Sequence, residues 1–403
     1  MSKIIPILFK KFLQEQDLVA DFFSKKFTNP LFYNSVDLRH SGFKIAPVDV
    51  NCFPAGFNNL NDDSQIVAID AAKKFFTQQK ITAKNILIIS ESHSRNLKYL
   101  TNVKILAKIL SNIANVQIGS FNSEIDNQIQ IDLENNETIT LHQIVRNGNK
   151  IALRNGFEPN LIISNNDFTD GIPELLQNIS QLIIPNPNLG WFKRLKSHHC
   201  KIYNEIVTEF CELINIDPWL ISAYFGKCDN IDFKEKVGIE CLAKNVDKII
   251  DRMRIKYQEY GIKDDPYCFI KADNGTYGMA IMNARSGEEI LQINKKERNK
   301  MNMLKGKVVN HNVIIQEGIP TIDKIKNITS EPMIYLLGGE VVGNLFRSNS
   351  LRDQNISLNH AGMEFYDLRN LTQQEIDLGL KKEEVIKVYE IVSRLSALAA
   401  SLE

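Results

Sequence analysis

The chain has 403 residues, and its 48 lysines and arginines balance 48 aspartates and glutamates, for a formal net charge of zero. That balance argues against a bulk polyanion partner, because nucleic-acid and acidic-membrane binders carry a basic excess. With 43% hydrophobic and 24% charged residues the chain can bury a large core, which excludes disordered and fibrous classes, and its length predicts about two to three domains.

The N-terminal run IIPILF is interrupted by Lys10 and Lys11 before it reaches signal-peptide length, and no apolar run reaches the roughly 18 residues that span a bilayer. The expected address is cytoplasmic. β-type runs follow at 43–50, 85–90, 115–121, 159–164 and 180–185, with helix-like stretches at 64–79 and 97–113 between them. Alternating strands and helices predict an α/β layer with a largely parallel sheet. Ile129, Ile131 and Leu133 alternate with polar residues, as do Ile139 and Leu141 after the turn at 134–137, so a hairpin is expected at the sheet edge. From Trp191 the pattern turns helical: Asp217-Pro218 reads as a helix start and 246–260 has helical spacing. Strands return from 267, and Gly338-Gly339 inside MIYLLGGEVVGNLF suits a tight hairpin turn. Thr372 and Glu375 are spaced as a capping box, ahead of Val385, Val388, Val392, Leu395, Leu398 and Leu402 on one face of a long helix. That helix suits packing on the chain's own core or against a second copy in a homodimer. The expected blocks are an N-terminal α/β domain over 1–190, a helical segment over 191–266 and a nucleotide-binding region over 267–403. The six cysteines are scattered without a CxxC pair and read as free thiols.

Three segments carry candidate chemistry. In FIKADNGTYGMAIM a strand delivers Lys271, and Asn274, Gly275, Tyr277 and Gly278 form a glycine-rich flap of the kind that closes over nucleotide phosphates. A glycine hairpin with an exposed lysine fits the same residues, and the Walker pattern is absent. In NVIIQEGIP an apolar strand ends in Gln316, Glu317 and Gly318, where a hinge can offer backbone groups to an adenine edge and a carboxylate to a ribose hydroxyl; taken in isolation, the segment fits a buried strand ending in a polar turn better. In FRSN and NISLNHAG, Arg347 and Asn359 sit where an arginine can neutralise a transferring phosphoryl group, or form a surface ion pair. Lys196 is a candidate second phosphate lysine within a basic face, and His198 and His199 cannot both face one site. The basic run from Lys295 reads, in a neutral protein, as a solvated face or a lid contact and not as an RNA-binding segment.

These segments, with PVDVNCFPAGFNNL, ESHSRN, IPNPNLGWFKRLKSHH, DPWL, NKKERNKM, EPMIYL and LNHAGMEF, resemble the proteobacterial-type glutamate-cysteine ligase family from about residue 35 to 365. The resemblance implies an ATP-grasp-like α/β fold with α+β elements, circularly permuted as in eukaryotic glutathione synthetases. Its N-terminal α/β substrate domain would work with a glycine-rich lid. It implies ATP-dependent joining of the L-glutamate γ-carboxyl to L-cysteine through an acyl phosphate, with magnesium as cofactor and neither nucleic acid nor membrane as partner. By the same resemblance Asp49, Asn51 and Asp273 would bind magnesium, Asp standing where the permuted relatives carry Glu. Arg39, Arg95, Asn96 and Gly56 would hold substrate, and Lys271 and Arg347 would serve catalysis. Glutathione synthetase or another carboxylate-amine ligase on this scaffold is the alternative.

Overall fold

The structure is a computed structural model and describes residues 3–403 apart from 92–95, 275–279, 303–308 and 377–379. Helices α1 (Ile4–Gln14) and α2 (Gln16–Lys26) precede an antiparallel pair, β1 (Tyr33–His40) and β2 (Ile45–Asn51). A second sheet then forms from α3 (Asp62–Gln78), β3 (Asn85–Ile89), α4 (Leu97–Leu110), β4 (Asn115–Ser120), β5 (Gln128–Asp132), β6 (Thr138–Asn147), β7 (Lys150–Leu153), β8 (Leu161–Ser164) and β9 (Leu182–Ile184). Its strand order is β5-β6-β4-β3-β8-β9 with β7 beside β6, and β4, β3, β8 and β9 run parallel. The hairpin read from the alternation is β5/β6, with Ile129 opposite Leu141 at the sheet edge. The two main helices start where a polar side chain can accept a free N-H: Asn61 Oδ1 from Ser64 N at 2.8 Å, and Asn96 Oδ1 from Tyr99 N at 3.2 Å.

The middle of the chain supplies α5 (Lys196–Leu213), β10 (Phe225–Cys228), α6 (Ile239–Glu259), β11 (Cys268–Ala272), β12 (Ile281–Ala284), α7 (Gly287–Leu291), α8 (Lys295–Asn302) and β13 (Val313–Glu317). Its four strands form an antiparallel sheet, β10-β13-β11-β12, with Val246, Ile249, Ile250 and Met253 of α6 buried in the core beside it. Asp217 does accept from Trp219 N at 2.9 Å behind Pro218, but what it starts is a single 3₁₀ turn, Pro218–Ile221.

The last segment is β14 (Lys324–Ile325), β15 (Ile328–Leu337), β16 (Glu340–Ser348), β17 (Glu364–Asp367) and α9 (Lys382–Ser401). Here β15–β17 join the N-terminal pair in the order β17-β16-β15-β1-β2, so the blocks expected at 1–190 and 267–403 share one sheet. Gly338 and Gly339 both take positive φ, 55° and 81°, which makes the two-residue turn between β15 and β16 a glycine position twice over. Both faces of this sheet are buried. Val36, Leu38, Ile334, Leu336 and Phe346 share a core with Val385, Val388, Val392 and Leu395 of α9, while Tyr33, Met333, Tyr335 and Leu345 join Phe75 and Phe76 of α3 on the other side. Each such side chain contributes about 1.5–3 kcal/mol on burial. The apolar face of α9 is thus spent inside the chain, except that Leu402 is 59% exposed. The Thr372/Glu375 pair forms, with Glu375 Oε2 accepting from Thr372 N at 2.8 Å, but it closes a turn and the helix begins only at Lys382. All six cysteines are free thiols. Among the described residues no helix is long and apolar enough to cross a membrane.

Candidate active site

A cavity of about 330 Å³ opens where the β1/β2/β15/β16 face, the four-stranded sheet and the loops after β3 and β8 meet. Strand alternation places Asp37 and Arg39 of β1, Asp49 and Asn51 of β2, Glu331 of β15 and Arg347 of β16 along its wall. Asp37 lies directly opposite Asp49 across the β1/β2 ladder, and Glu331 opposite Arg347. Facing carboxylates repel, and the surrounding cations offset this. Arg347 Nη1 donates to Asp37 Oδ2 at 2.9 Å and to Glu331 Oε1 at 2.7 Å; Lys196 Nζ donates to Asp49 Oδ1 at 2.6 Å. Burial pushes the Asp37 carboxyl above its usual range, with Arg347 pulling against it and Glu331 and Asp49 adding to it. Burial also works against ionised Asp49, but Lys196 and Lys271 outweigh it and hold that carboxyl low.

Lys271 reaches the cavity from β11 and donates to Gln316 Oε1 at 2.9 Å and Val48 O at 3.2 Å. Burial draws its pKa down to about 8, against the pull of Asp49. Lys196 sits in the first turn of α5 with Nζ 4.3 Å from the centre of the Trp191 ring, and both residues line the cavity. Gln316 borders a smaller chamber beside Asp49 and Lys196, with Cys200 and Ile314. Asn359 and Ser357 close the wall from the loop after β16.

The cavity therefore brings together Lys271, Arg347, Lys196, Asp49, Asn51 and Asn359, six of the residues that the sequence singles out. Several expected ligands are used elsewhere. Asp273 is 1% exposed; its Oδ1 accepts from Ser197 N at 2.7 Å and its Oδ2 from Ser197 Oγ at 2.6 Å, so it caps the N-terminus of α5 instead of facing a metal. Glu317 is buried against Lys44 Nζ at 2.8 Å, Trp219 Nε1 at 3.1 Å and Tyr224 N at 2.9 Å, which leaves it joining two parts of the fold and not holding a ribose. Gly318 donates to Tyr267 O, and a Cβ there would lie 2.5 Å from the Tyr267 ring, so its small size serves packing. Arg39 lines the cavity, and three of its five N–H groups are engaged, on Glu331 Oε2 at 2.7 Å and on Gln354 O and Ile356 O at 2.9 and 2.6 Å, so it positions the loop carrying Ser357 and Asn359. Gly56 has φ +74° and an added Cβ would meet Tyr335 Oη at 2.0 Å, a structural demand just behind the wall residues Pro54 and Ala55. Asn96 caps α4 and Asn274 does not line the cavity. Arg95, Gly275, Tyr277 and Gly278 lie outside the described residues.

Sequence reasoning missed Asp37, Glu331, Asn165, Asp167 and Trp191, all of which line the cavity. For Asp37 a signal exists: in YNSVDLRH, Val36 and Leu38 alternate with Ser35, Asp37 and Arg39, a strand pattern whose polar face is charged and still buried. His199, in contrast, is explained by structure alone, with Nδ1 2.7 Å from Glu403 Oε1.

A family model described as glutamate-cysteine ligase matches residues 9–403. Among solved structures, a protein assigned as gamma-glutamylcysteine synthetase from Methylobacillus flagellatus KT is similar over 100% of this chain and 96% of its own, at 36% identity and a TM-score of 0.89. A glutathione synthetase-like effector of Globodera pallida is similar more loosely (10% identity, 86% of this chain and 77% of its own, TM-score 0.41). D-alanyl-alanine synthetase A of Vibrio cholerae O1 biovar eltor is looser still (11%, 77% and 80%, 0.35), too distant to carry an argument about chain order. No curated protein matches the chain significantly.

Proposed function

Since the chain belongs to the glutamate-cysteine ligase family, we propose that the cavity beside Lys271 is where it uses ATP to join L-glutamate to L-cysteine, the reaction that opens glutathione biosynthesis. The observation that carries this placement is the convergence of Lys271, Lys196 and Arg347 on one enclosed wall with the carboxylates of β1, β2 and β15. A glutamate γ-carboxylate attacking the γ-phosphorus of ATP brings two anions together, and that repulsion is the barrier the site has to lower. Lys271 and Lys196 offset charge on the phosphates, and Arg347, held rigid between Asp37 and Glu331, faces the transferring group. The O–P bond to ADP breaks as the acyl phosphate forms. The cysteine amine then adds to the acyl carbon and phosphate leaves. No side chain acts as nucleophile in this scheme.

Asp49, Asn51 and Asp37 are hard oxygen donors on one face of β1 and β2. Asp37 Oδ1 is buried without a partner among the described residues, so these residues fit a divalent cation better than the set containing Asp273. Among the described residues no three carboxylate, histidine or cysteine side chains converge as a metal cluster, so phosphate oxygens and water would have to complete the shell of an ion held here. When bound there, magnesium would neutralise phosphate charge.

The test is ADP release with magnesium, ATP, glutamate and cysteine, followed by mass analysis of the product. Wild type is expected to give γ-glutamylcysteine only when both amino acids are present. Asp49→Asn is expected to lower turnover at least 100-fold at saturating magnesium, and near-normal turnover would remove Asp49 from the site.

A further inference from the structure

We propose that the end of the cavity lined by Asn165 and Asp167 binds the α-ammonium group of the glutamate substrate. This deepens the ligase reading above and rests on it. In the parallel sheet the chain leaves β3 for β4 on one side, while β8 lies on the other side and leads on to β9. The crevice at the carboxyl ends of β3 and β8 is therefore the point where strand order reverses, the place where open α/β sheets take their ligands. Ile89 and Ser164 are paired at that end, and Asn165, Asp167 and Glu91 follow them directly into the cavity wall.

Asn165 is 4% exposed. Its Nδ2 donates to Pro54 O, which fixes the amide's orientation, and its Oδ1 is buried with no partner among the described residues. An orphaned acceptor of that kind costs about 1–3 kcal/mol unless a donor arrives, and the cavity beside it is where a donor can come from. Asp167 adds a charge: its Oδ1 accepts from Thr169 N at 3.0 Å and Thr169 Oγ1 at 2.7 Å, and its second oxygen has no bond among the described residues. An acceptor amide beside a carboxylate is suited to a cationic donor.

Each amino-acid substrate carries an ammonium group, and the chemistry separates them. The cysteine amine must lose its proton to attack, and anionic acceptors stabilise the protonated, unreactive form. The glutamate α-ammonium stays protonated throughout, so these acceptors suit it, while the γ-carboxyl extends toward Lys271 and Arg347.

The experiment compares glutamate with glutarate, which lacks only the α-amino group, as acceptors of phosphoryl transfer in cysteine-dependent ADP release. Wild type is expected to favour glutamate by at least 100-fold in kcat/KM. Asp167→Asn keeps an oxygen for Thr169 and removes the charge; it is expected to lower kcat/KM for glutamate about 10–100-fold and leave glutarate unchanged. Equal loss on both substrates, or no loss on either, would overturn the assignment. If that variant folds poorly, Asn165→Leu read with the same substrate pair makes the same distinction, and calorimetric titration of the protein with glutamate against glutarate gives a binding readout free of turnover. A wild-type protein that releases no ADP with glutamate and cysteine, but does so with γ-glutamylcysteine and glycine, would overturn the ligase reading itself and the subsite with it.

Discussion

Replacing Lys271 with methionine is expected to make the protein more stable at pH 7 and nearly inactive. Burial draws the Lys271 pKa from 10.5 to about 8. Keeping the ammonium charged in the folded chain at pH 7 thus costs about 3 kcal/mol, at about 1.4 kcal/mol per tenfold change in proton affinity. Methionine removes that cost and fills similar volume, but it also removes the bonds to Gln316 Oε1 and Val48 O, each worth about 1 kcal/mol. The net expectation is a gain of about 1 kcal/mol, read as a Tm rise of about 1–3 °C by scanning fluorimetry without nucleotide, together with a loss of turnover of about 100-fold or more. The pH dependence is the sharper check. In wild type the folded chain releases this proton near pH 8 and the unfolded chain keeps it to about 10.5, so the unfolded state binds more protons in that window and wild-type stability rises with pH there. The Tm advantage of the variant should be largest below pH 8 and close between 8 and 10.5. A variant less stable than wild type at pH 7, or a gap that stays constant through that window, would refute the assignment of Lys271 as a charge held against its solvation for function.

The buried end of α9 gives a second prediction. Glu403 accepts from Arg194 Nε at 2.6 Å and Nη2 at 2.8 Å and lies 2.7 Å from His199 Nδ1; burial works against its charge, but His199 and Arg194 win and hold its pKa down to about 2. Its contribution is therefore present above pH 4.5 and lost as pH falls toward 2, and Glu403→Gln should cost about 3 kcal/mol at pH 7 and flatten the acid limb of a Tm–pH curve; an unaltered acid limb would contradict this. Asp273→Ala removes a helix cap and should cost about 1–2 kcal/mol, while the magnesium concentration for half-maximal turnover stays where it is; a shift in that concentration would return Asp273 to the metal site. Gly56→Ala combines positive φ with a clash on Tyr335 and should lower Tm by several degrees, with partial recovery in Gly56→Ala/Tyr335→Ala, measured by the same thermal scan.

The sheet that carries the charged wall also explains why Arg347 is a demanding position. Burial lowers the pKa of its guanidinium, but Asp37 and Glu331 more than compensate and keep it above the ordinary range, so the cation never titrates in solution conditions. Removing it would leave two carboxylates facing each other in a buried wall, a cost of about 3–5 kcal/mol that mixes structure with catalysis. Lys196 and Lys271 are held by fewer bonds, which makes them the cleaner handles on phosphate binding.

Local adjacency was enough to read much of this protein. The β5/β6 hairpin follows from the two-residue alternation at 129–141, the Gly338-Gly339 turn from the need for positive φ twice, and the apolar face of α9 from 3.6-residue spacing, because each depends only on neighbours along the chain. The order of the glycine flap, the QEG strand end and the Asp49-Val50-Asn51 strand likewise pointed to the family. What the sequence left open is how each polar side chain is used. Asp49 and Asp273 look equivalent along the chain, yet one faces Asp37 across a ladder and the other is claimed by the N-terminus of α5. Arg39 reaches carbonyls 315 and 317 residues away, and Glu317 meets Lys44 273 residues away. β1 itself escaped notice because its charged face is buried in a sheet completed by β15, at the other end of the chain. A carboxylate or guanidinium takes whichever partner the folded chain brings within hydrogen-bond reach, and that is decided by strand register and sheet order, which single-sequence periodicity does not encode.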